Sequence, residues 1–187
     1  MIRILWWRRS RGNCKVNMSN TTDLLDALLD SWDRNNTILL NLLRVVADGG
    51  FEVRGNESSP SVAEMFTHIH YVRLVFVSED APEFGTVPNQ EEWPAEHDPE
   101  RITQMLNESA KLVRDAIQAR IKTGQAMNVH YDHPILMLQH MIWHEGYHHG
   151  QIKLALKLAG CPIGNKQAGP GTWRVWMNKT QKASQSS

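Results

Sequence analysis

The chain has 187 residues, of which 41% are hydrophobic and 21% charged, and this composition suits one globular domain with a buried core. Twenty basic residues balance twenty acidic ones. That balance argues against nucleic acid and an anionic membrane surface as partners, because both attract an excess of basic side chains. No apolar run approaches the roughly 20 residues that cross a bilayer, so we expect a cytoplasmic protein. Two cysteines, Cys14 and Cys161, are too few for a disulfide scaffold and are expected to be reduced.

The first 17 residues differ in composition from the rest of the chain. Their apolar stretch from Ile4 to Trp7 is shorter than the roughly 7–15 residues of a signal-peptide core, and arginines follow it at once. We therefore expect a disordered or mis-assigned extension over residues 1–17. A helical domain over 18–162 and a C-terminal tail over 163–187 are expected to follow.

Two helices are predicted in the first half of the domain. The first covers about 23–47, where leucines and Trp32 recur every three or four residues until Gly49-Gly50 ends the pattern. The second covers about 61–79 and opens with Ser-Val-Ala-Glu, which is a capping box. His68 lies at the edge of its apolar face.

Two more helices are predicted after a long proline-containing connection over residues 81–97. The third covers about 98–124 and begins with Asp-Pro-Glu, and the fourth covers about 132–159 and stops at Gly160. The tail is expected to be irregular, with one short turn packed against the body by its tryptophans. The prediction is an all-α four-helix bundle, in which the long connection between helices 2 and 3 lets helix 3 start from the opposite end.

The last predicted helix carries an unusual series of histidines. His140, His144 and His148 are four residues apart, so their side chains share one face of the helix. Two imidazoles at this spacing can hold one metal ion, but the helix rises about 6 Å per step of four, so three in a row cannot easily share it. One of the three is therefore expected to orient a ligand or to be an ordinary residue. The alternative is a set of histidines that only pack or face solvent.

The string from His144 to His148 also fits the His-Glu-x-x-His pattern of zinc proteases. Those enzymes take a third ligand from further along the chain. No Asp or Glu follows Glu145, and the adjacent His149 points about 100° away, so a protease is disfavoured.

A third ligand is then expected from upstream. The candidates are His68, His70, His97, His130 and His133. His68 is favoured because it shares an inward-facing row of its helix, and facing helices of a bundle commonly supply the ligands of one metal. Three imidazoles leave one coordination position open, as in catalytic zinc sites.

Two stretches resemble the DinB/YfiT-like superfamily. One runs from Ser61 to Ile69 and looks like the family's second-helix signature ending in a histidine, and the other runs from His140 to Gln151 and is similar to its His-x-x-x-His followed by Gly-Gln. The resemblance covers roughly residues 20–160. It implies an up-down-down-up four-helix bundle, often a homodimer, with His68, His144 and His148 on one zinc or nickel ion.

The resemblance also implies a function. Members with known activity are thiol-dependent transferases or isomerases that use thiols such as bacillithiol or mycothiol, so we expect a metal-dependent transferase with a small-molecule substrate. Glu145 or His140 could move the proton, and His140 could instead orient a ligand. Glu145 could also be only a surface carboxylate. Asn35 or Asn36 could bind substrate or be a polar position in the core.

Two other functions and one structural question stay open on the sequence alone. A metal-dependent hydrolase would use the same site, and a non-catalytic metal-binding stress protein would need no further residues. Trp143, Trp173 and Trp176 are expected in the core, with a pocket or a dimer seam as alternatives.

Overall fold

A computed structural model describes residues 18–89, 91–94 and 96–177, with side chains from residue 24 onward. This part of the chain is all-helical, as predicted, and its only β contact is an isolated bridge between Arg54 and Ser61. The extension expected over residues 1–17 lies outside the described residues. No described helix is long and apolar enough to cross a bilayer.

Four long helices form the body and two short ones follow them. They are α1 (Met18–Arg44), α2 (Val62–Asp80), α3 (Pro99–Thr123), α4 (Pro134–Leu158), α5 (Asn165–Gly171) and α6 (Trp173–Met177), with a 3-10 turn at Gly50–Glu52. The predicted bounds agree to within a few residues, except that α1 begins five residues earlier. The described part of the tail is more regular than expected, because residues 165–177 form two short helices where one short turn was predicted.

The helix ends follow from local hydrogen bonding. At the start of α2 the Glu64 amide donates to Ser61 Oγ (3.2 Å) and the Ser61 amide donates to the Glu64 carboxylate (2.6 Å), which completes the predicted capping box. Asp98 caps α3 by accepting from the Glu100 amide at 3.0 Å. Gly124 ends α3 with a φ of 68°, a left-handed conformation that favours glycine.

The buried apolar residues form two clusters, and each draws on all four long helices. The Trp32 cluster joins the start of α1 and α4 to the end of α2 and the second half of α3, and contains Leu25, Leu29, Trp32, Val77, Ala81, Ala110, Val113, Ala116, Ile117, Met127, Met137, Leu138 and Met141. The Phe66 cluster lies at the other end, and contains Leu39, Leu42, Leu43, Val62, Met65, Phe66, Ile69, Ile102, Leu106, Ile152, Ala155 and Leu156. The starts of α1 and α4 therefore meet the ends of α2 and α3.

Two glycines give a matched test of these helix assignments. Gly150 lies inside α4 and a Cβ there would meet no atom within 4 Å, whereas Gly124 has a positive φ of 68°. Gly150→Ala should raise the free energy of unfolding by about 0.5–1 kcal/mol, because alanine loses less backbone entropy in a helix. Gly124→Ala should lower it. Urea unfolding of both variants checks the two signs, and a loss of stability in Gly150→Ala would contradict the description of α4.

Candidate metal centre

Three imidazoles meet between α2 and α4. One ring nitrogen from each of His68, His144 and His148 lies within 4.8 Å of the other two. The Nε2 atoms of His144 and His148 are 3.1 Å apart, and the ring centroid of His68 lies 5.3 Å and 4.9 Å from those of His144 and His148. The structure thus brings together the three residues predicted as ligands, at a separation that one metal ion can bridge.

The local sequence explains why these rings converge. His144 and His148 are one turn apart on α4, so their rings lie on one face of the helix, with centroids 4.5 Å apart and planes at 74°. His68 comes from α2, which packs directly against α4. His68 and His148 are each only 6% exposed, so the site lies largely beneath the protein surface.

Burial also sets the charge of the three rings. Burial first, and the neighbouring imidazoles of the cluster after it, lower the pKa of His144 to about 3 and that of His68 to about 4. The pKa of His148 is likewise lowered by burial. All three rings are therefore neutral near pH 7. Neutral imidazole nitrogens are the form that ligates zinc and nickel, so the donor set fits a divalent ion.

The connection between α2 and α3 covers the site. The ring of Trp93 stacks on that of His68, with centroids 3.7 Å apart and planes 4° from parallel. The neighbouring Glu92 places a carboxylate oxygen 3.3 Å from His68 Nδ1. Neither Trp93 nor Glu92 is predicted at the site from the sequence, where the only signal is an aromatic and an acidic residue within a proline-rich connection.

His140, the first histidine of the series on α4, lies outside the cluster of His68, His144 and His148. Its Nδ1 lies 2.6 Å from the hydroxyl of Tyr131, and its ring centroid is 6.3 Å from that of His144. It does not belong to the group of three whose nitrogens converge. This placement agrees with the expectation that one histidine of the series is not a ligand.

Glu145 lies inside the bundle in a buried ion pair with Arg73. The Arg73 Nε donates to Glu145 Oε1 at 2.6 Å and the guanidinium donates to Oε2 at 2.8 Å, while Asn35 donates to the same Oε2. Both charged side chains are 1% exposed. The alternative of a surface carboxylate is therefore wrong, and both oxygens of Glu145 already have partners.

The ion pair is the centre of a polar layer between the two apolar clusters. Arg73 also donates to the Leu106 carbonyl (2.7 Å) and to Asn36 Oδ1 (3.1 Å), and its guanidinium carbon lies 4.9 Å from the Trp32 ring centroid. Asn36 in turn donates to Asn107 at 3.0 Å. The layer therefore ties together all four long helices. Asn35 and Asn36, which lie among the apolar residues of α1, therefore each hydrogen-bond one member of this charge pair.

The other upstream histidines serve different local contacts. The buried His70 donates from Nδ1 to the Met105 carbonyl at 2.7 Å and so links α2 to α3. The remaining three lie at the surface, and their contacts are His97 with Glu52 (2.7 Å), His130 with Asp80 (2.9 Å) and His133 Nδ1 accepting from the Ile135 amide (3.1 Å).

The model of the DinB family matches residues 18–167, which include all four long helices and the three clustered histidines. The chain belongs to the DinB family. No curated protein and no solved structure gives a significant match. The family match ends within α5, so α6 lies beyond it.

The buried ion pair gives a stability prediction. Arg73→Met should lower the free energy of unfolding by about 3–5 kcal/mol, because it leaves the Glu145 carboxylate buried without its partner. Glu145→Leu should have a similar effect. The double variant should be more stable than either single one, since two apolar side chains leave no unpaired charge. Urea unfolding of the four proteins measures the coupling, and additive losses would contradict the pairing.

The histidine pKa values give a pH prediction for the metal-free protein. In the unfolded chain histidine has a pKa near 6.5, whereas in the folded state burial lowers the pKa of His68 to about 4 and of His144 to about 3. Below about pH 6.5 the unfolded chain therefore binds protons that the folded state does not. Stability should fall from pH 6.5 towards pH 4, with a slope of up to about 1.4 kcal/mol per pH unit for each histidine.

Urea unfolding at several pH values checks this slope, with His144→Leu as the diagnostic variant. The variant should show a shallower loss of stability over the same pH range, because one buried group no longer titrates. An unchanged slope would show that these rings do not control the pH dependence.

Proposed function

We propose that this DinB-family chain is a metal-dependent transferase that uses a low-molecular-weight thiol. In this proposal His68, His144 and His148 hold one divalent ion, zinc or nickel, and the bundle has up-down-down-up topology. The observation that carries the proposal is the convergence of three neutral imidazole nitrogens within 4.8 Å. Such a set supplies three ligands and leaves a position for a small molecule, as catalytic sites require.

The chemistry proposed for the site is activation of a thiol. A bound divalent ion would lower the pKa of a coordinated thiol and make the thiolate available at neutral pH. The three imidazoles would hold the ion without adding charge of their own. Trp93, stacked on His68, would limit the access of water on that side of the ring.

Among the residues predicted to move a proton, we favour His140. Burial raises the pKa of Tyr131, so its phenol stays protonated and can donate to His140 Nδ1. A neutral His140 would then carry its own proton on Nε2 and could donate it to a reacting group or a ligand. Glu145 and Asn36 are assigned to holding Arg73 rather than to proton transfer or substrate binding, because their side chains are engaged in the polar layer.

We further propose a homodimer formed through α4. Its outer face presents a continuous apolar stripe of residues that are 50–71% exposed, namely Leu136, Trp143, Tyr147, Leu154 and Leu158. The spacing of seven and four residues keeps them on one side of the helix. Trp143, expected in the core, is 71% exposed, and the dimer-seam alternative accounts for it better.

Elemental analysis of purified, untagged protein tests the metal site. We expect about one equivalent of zinc or nickel per chain, and less than about a tenth of that after His144→Ala, because the pair on α4 supplies two of three ligands. His97→Ala is the matched control, since His97 lies at the surface against Glu52. Full metal content in His144→Ala, with an intact fold by circular dichroism, would contradict the site.

Thiol consumption tests catalysis by the metal-loaded protein. A panel of electrophiles is assayed with several bacterial thiols, and we expect metal-dependent loss of thiol that His68→Ala abolishes. Hydrolysis of an ester or amide panel without thiol consumption would instead favour a hydrolase. No turnover in either panel, with metal still bound, would favour a metal-binding stress protein and contradict the transferase.

A further inference from the structure

A cavity lies between α1, α4 and the C-terminal helices. Its volume is about 350 Å³, within the usual range of small-molecule sites. Ile38 and Ile142 form part of its apolar wall, and Trp173 and Trp176 also line it. The two tryptophans are 51% and 42% exposed, so their indole faces are only partly covered by the protein itself.

This cavity is separate from the metal centre although both use α4. The cavity is lined by Gly146 and His149, whereas His144 and His148 face α2. Neighbouring residues on a helix point about 100° apart, so the two sites lie on different sides of α4. Both tryptophans also lie beyond residues 18–167, the segment that matches the family, so this wall is a feature of the chain's own C-terminal part.

Two polar groups in the cavity lack partners of their own. His149 Nε2 is buried and has no hydrogen-bond partner in the described part of the chain. Lys153 forms no ion pair with any described carboxylate. The Glu145 carboxylate at the floor is already neutralised by Arg73.

We propose that this cavity binds a small aromatic carboxylate. The ring would lie against the indoles of Trp173 and Trp176, where flat apolar surface is available. The carboxylate would pair with Lys153, and His149 Nε2 would gain a hydrogen-bond partner from a polar substituent or from a water that the ligand retains. An anionic ligand is favoured over a cationic one because Lys153 is the unneutralised charge among the lining residues of this cavity.

Calorimetric titration of the purified full-length protein with 1-naphthoate tests the charge assignment. We expect saturable 1:1 binding that weakens about tenfold in Lys153→Met, since a charge-assisted hydrogen bond is lost. Lys157→Met, one turn further along α4 and outside the cavity, should bind within about twofold of the parent protein. The neutral 1-naphthalenemethanol should also bind about tenfold more weakly. Equal affinity in the two lysine variants, or no saturable binding at millimolar ligand, would overturn the proposal.

Two glycine variants test the position of the site by filling space. A Cβ at Gly146, which lines the cavity, or at Gly150, which does not, would meet no atom within 4 Å, so a β-carbon fits at both positions. Gly146→Leu should abolish 1-naphthoate binding and Gly150→Leu should retain it. Thermal melting confirms that both variants fold. Undiminished binding in a folded Gly146→Leu variant would place the ligand elsewhere and overturn the proposal.

Discussion

The buried ion pair between Arg73 and Glu145 constrains how α2 and α4 pack against each other. Two opposite charges, each 1% exposed, are held by two hydrogen bonds of 2.6 and 2.8 Å between α2 and α4. Moving either helix by a fraction of a turn would leave a buried charge unpaired, which is strongly unfavourable. Glu145 is adjacent to His144 in sequence, and Arg73 lies five residues beyond His68. The pair therefore fixes the rotation and the height of both helices at the level where the imidazoles meet.

The same burial that requires the charges to pair also prepares the histidines for a metal ion. Removing the rings from water lowers the pKa of His68 and His144 to about 4 and about 3, so they stay neutral where a solvent-exposed histidine would begin to protonate. Without a metal ion, three neutral imidazoles in contact would stabilise one another only weakly. A divalent ion at their meeting point would satisfy three lone pairs at once. The polar layer therefore sets the positions of α2 and α4, and burial among the apolar clusters keeps the imidazoles neutral.

The helices and the clustered histidines could be read from the sequence because they follow local rules. Apolar periodicity, the Ser61 capping box and the His-x-x-x-His spacing all depend on residues within a few turns of one another. The partners of Glu145 could not be predicted from the sequence, because Arg73 lies 72 residues away and no local pattern connects the two. The sequence therefore left Glu145 as either a catalytic group or a surface carboxylate. Trp93 was missed for the same reason. The tryptophans of α4 and the tail were expected in the core because hydrophobicity alone does not tell an exposed face from a buried one.

X-ray absorption spectroscopy of the zinc-loaded protein tests the central claim most directly, because it counts the imidazoles on the ion and measures their distances. We expect three histidine nitrogens at roughly 2.0–2.1 Å from the ion, with the remaining coordination from a light atom of a small ligand. A spectrum with one imidazole or none, or one dominated by sulfur at roughly 2.3 Å, would contradict the claim that α2 and α4 aim three rings at a common point.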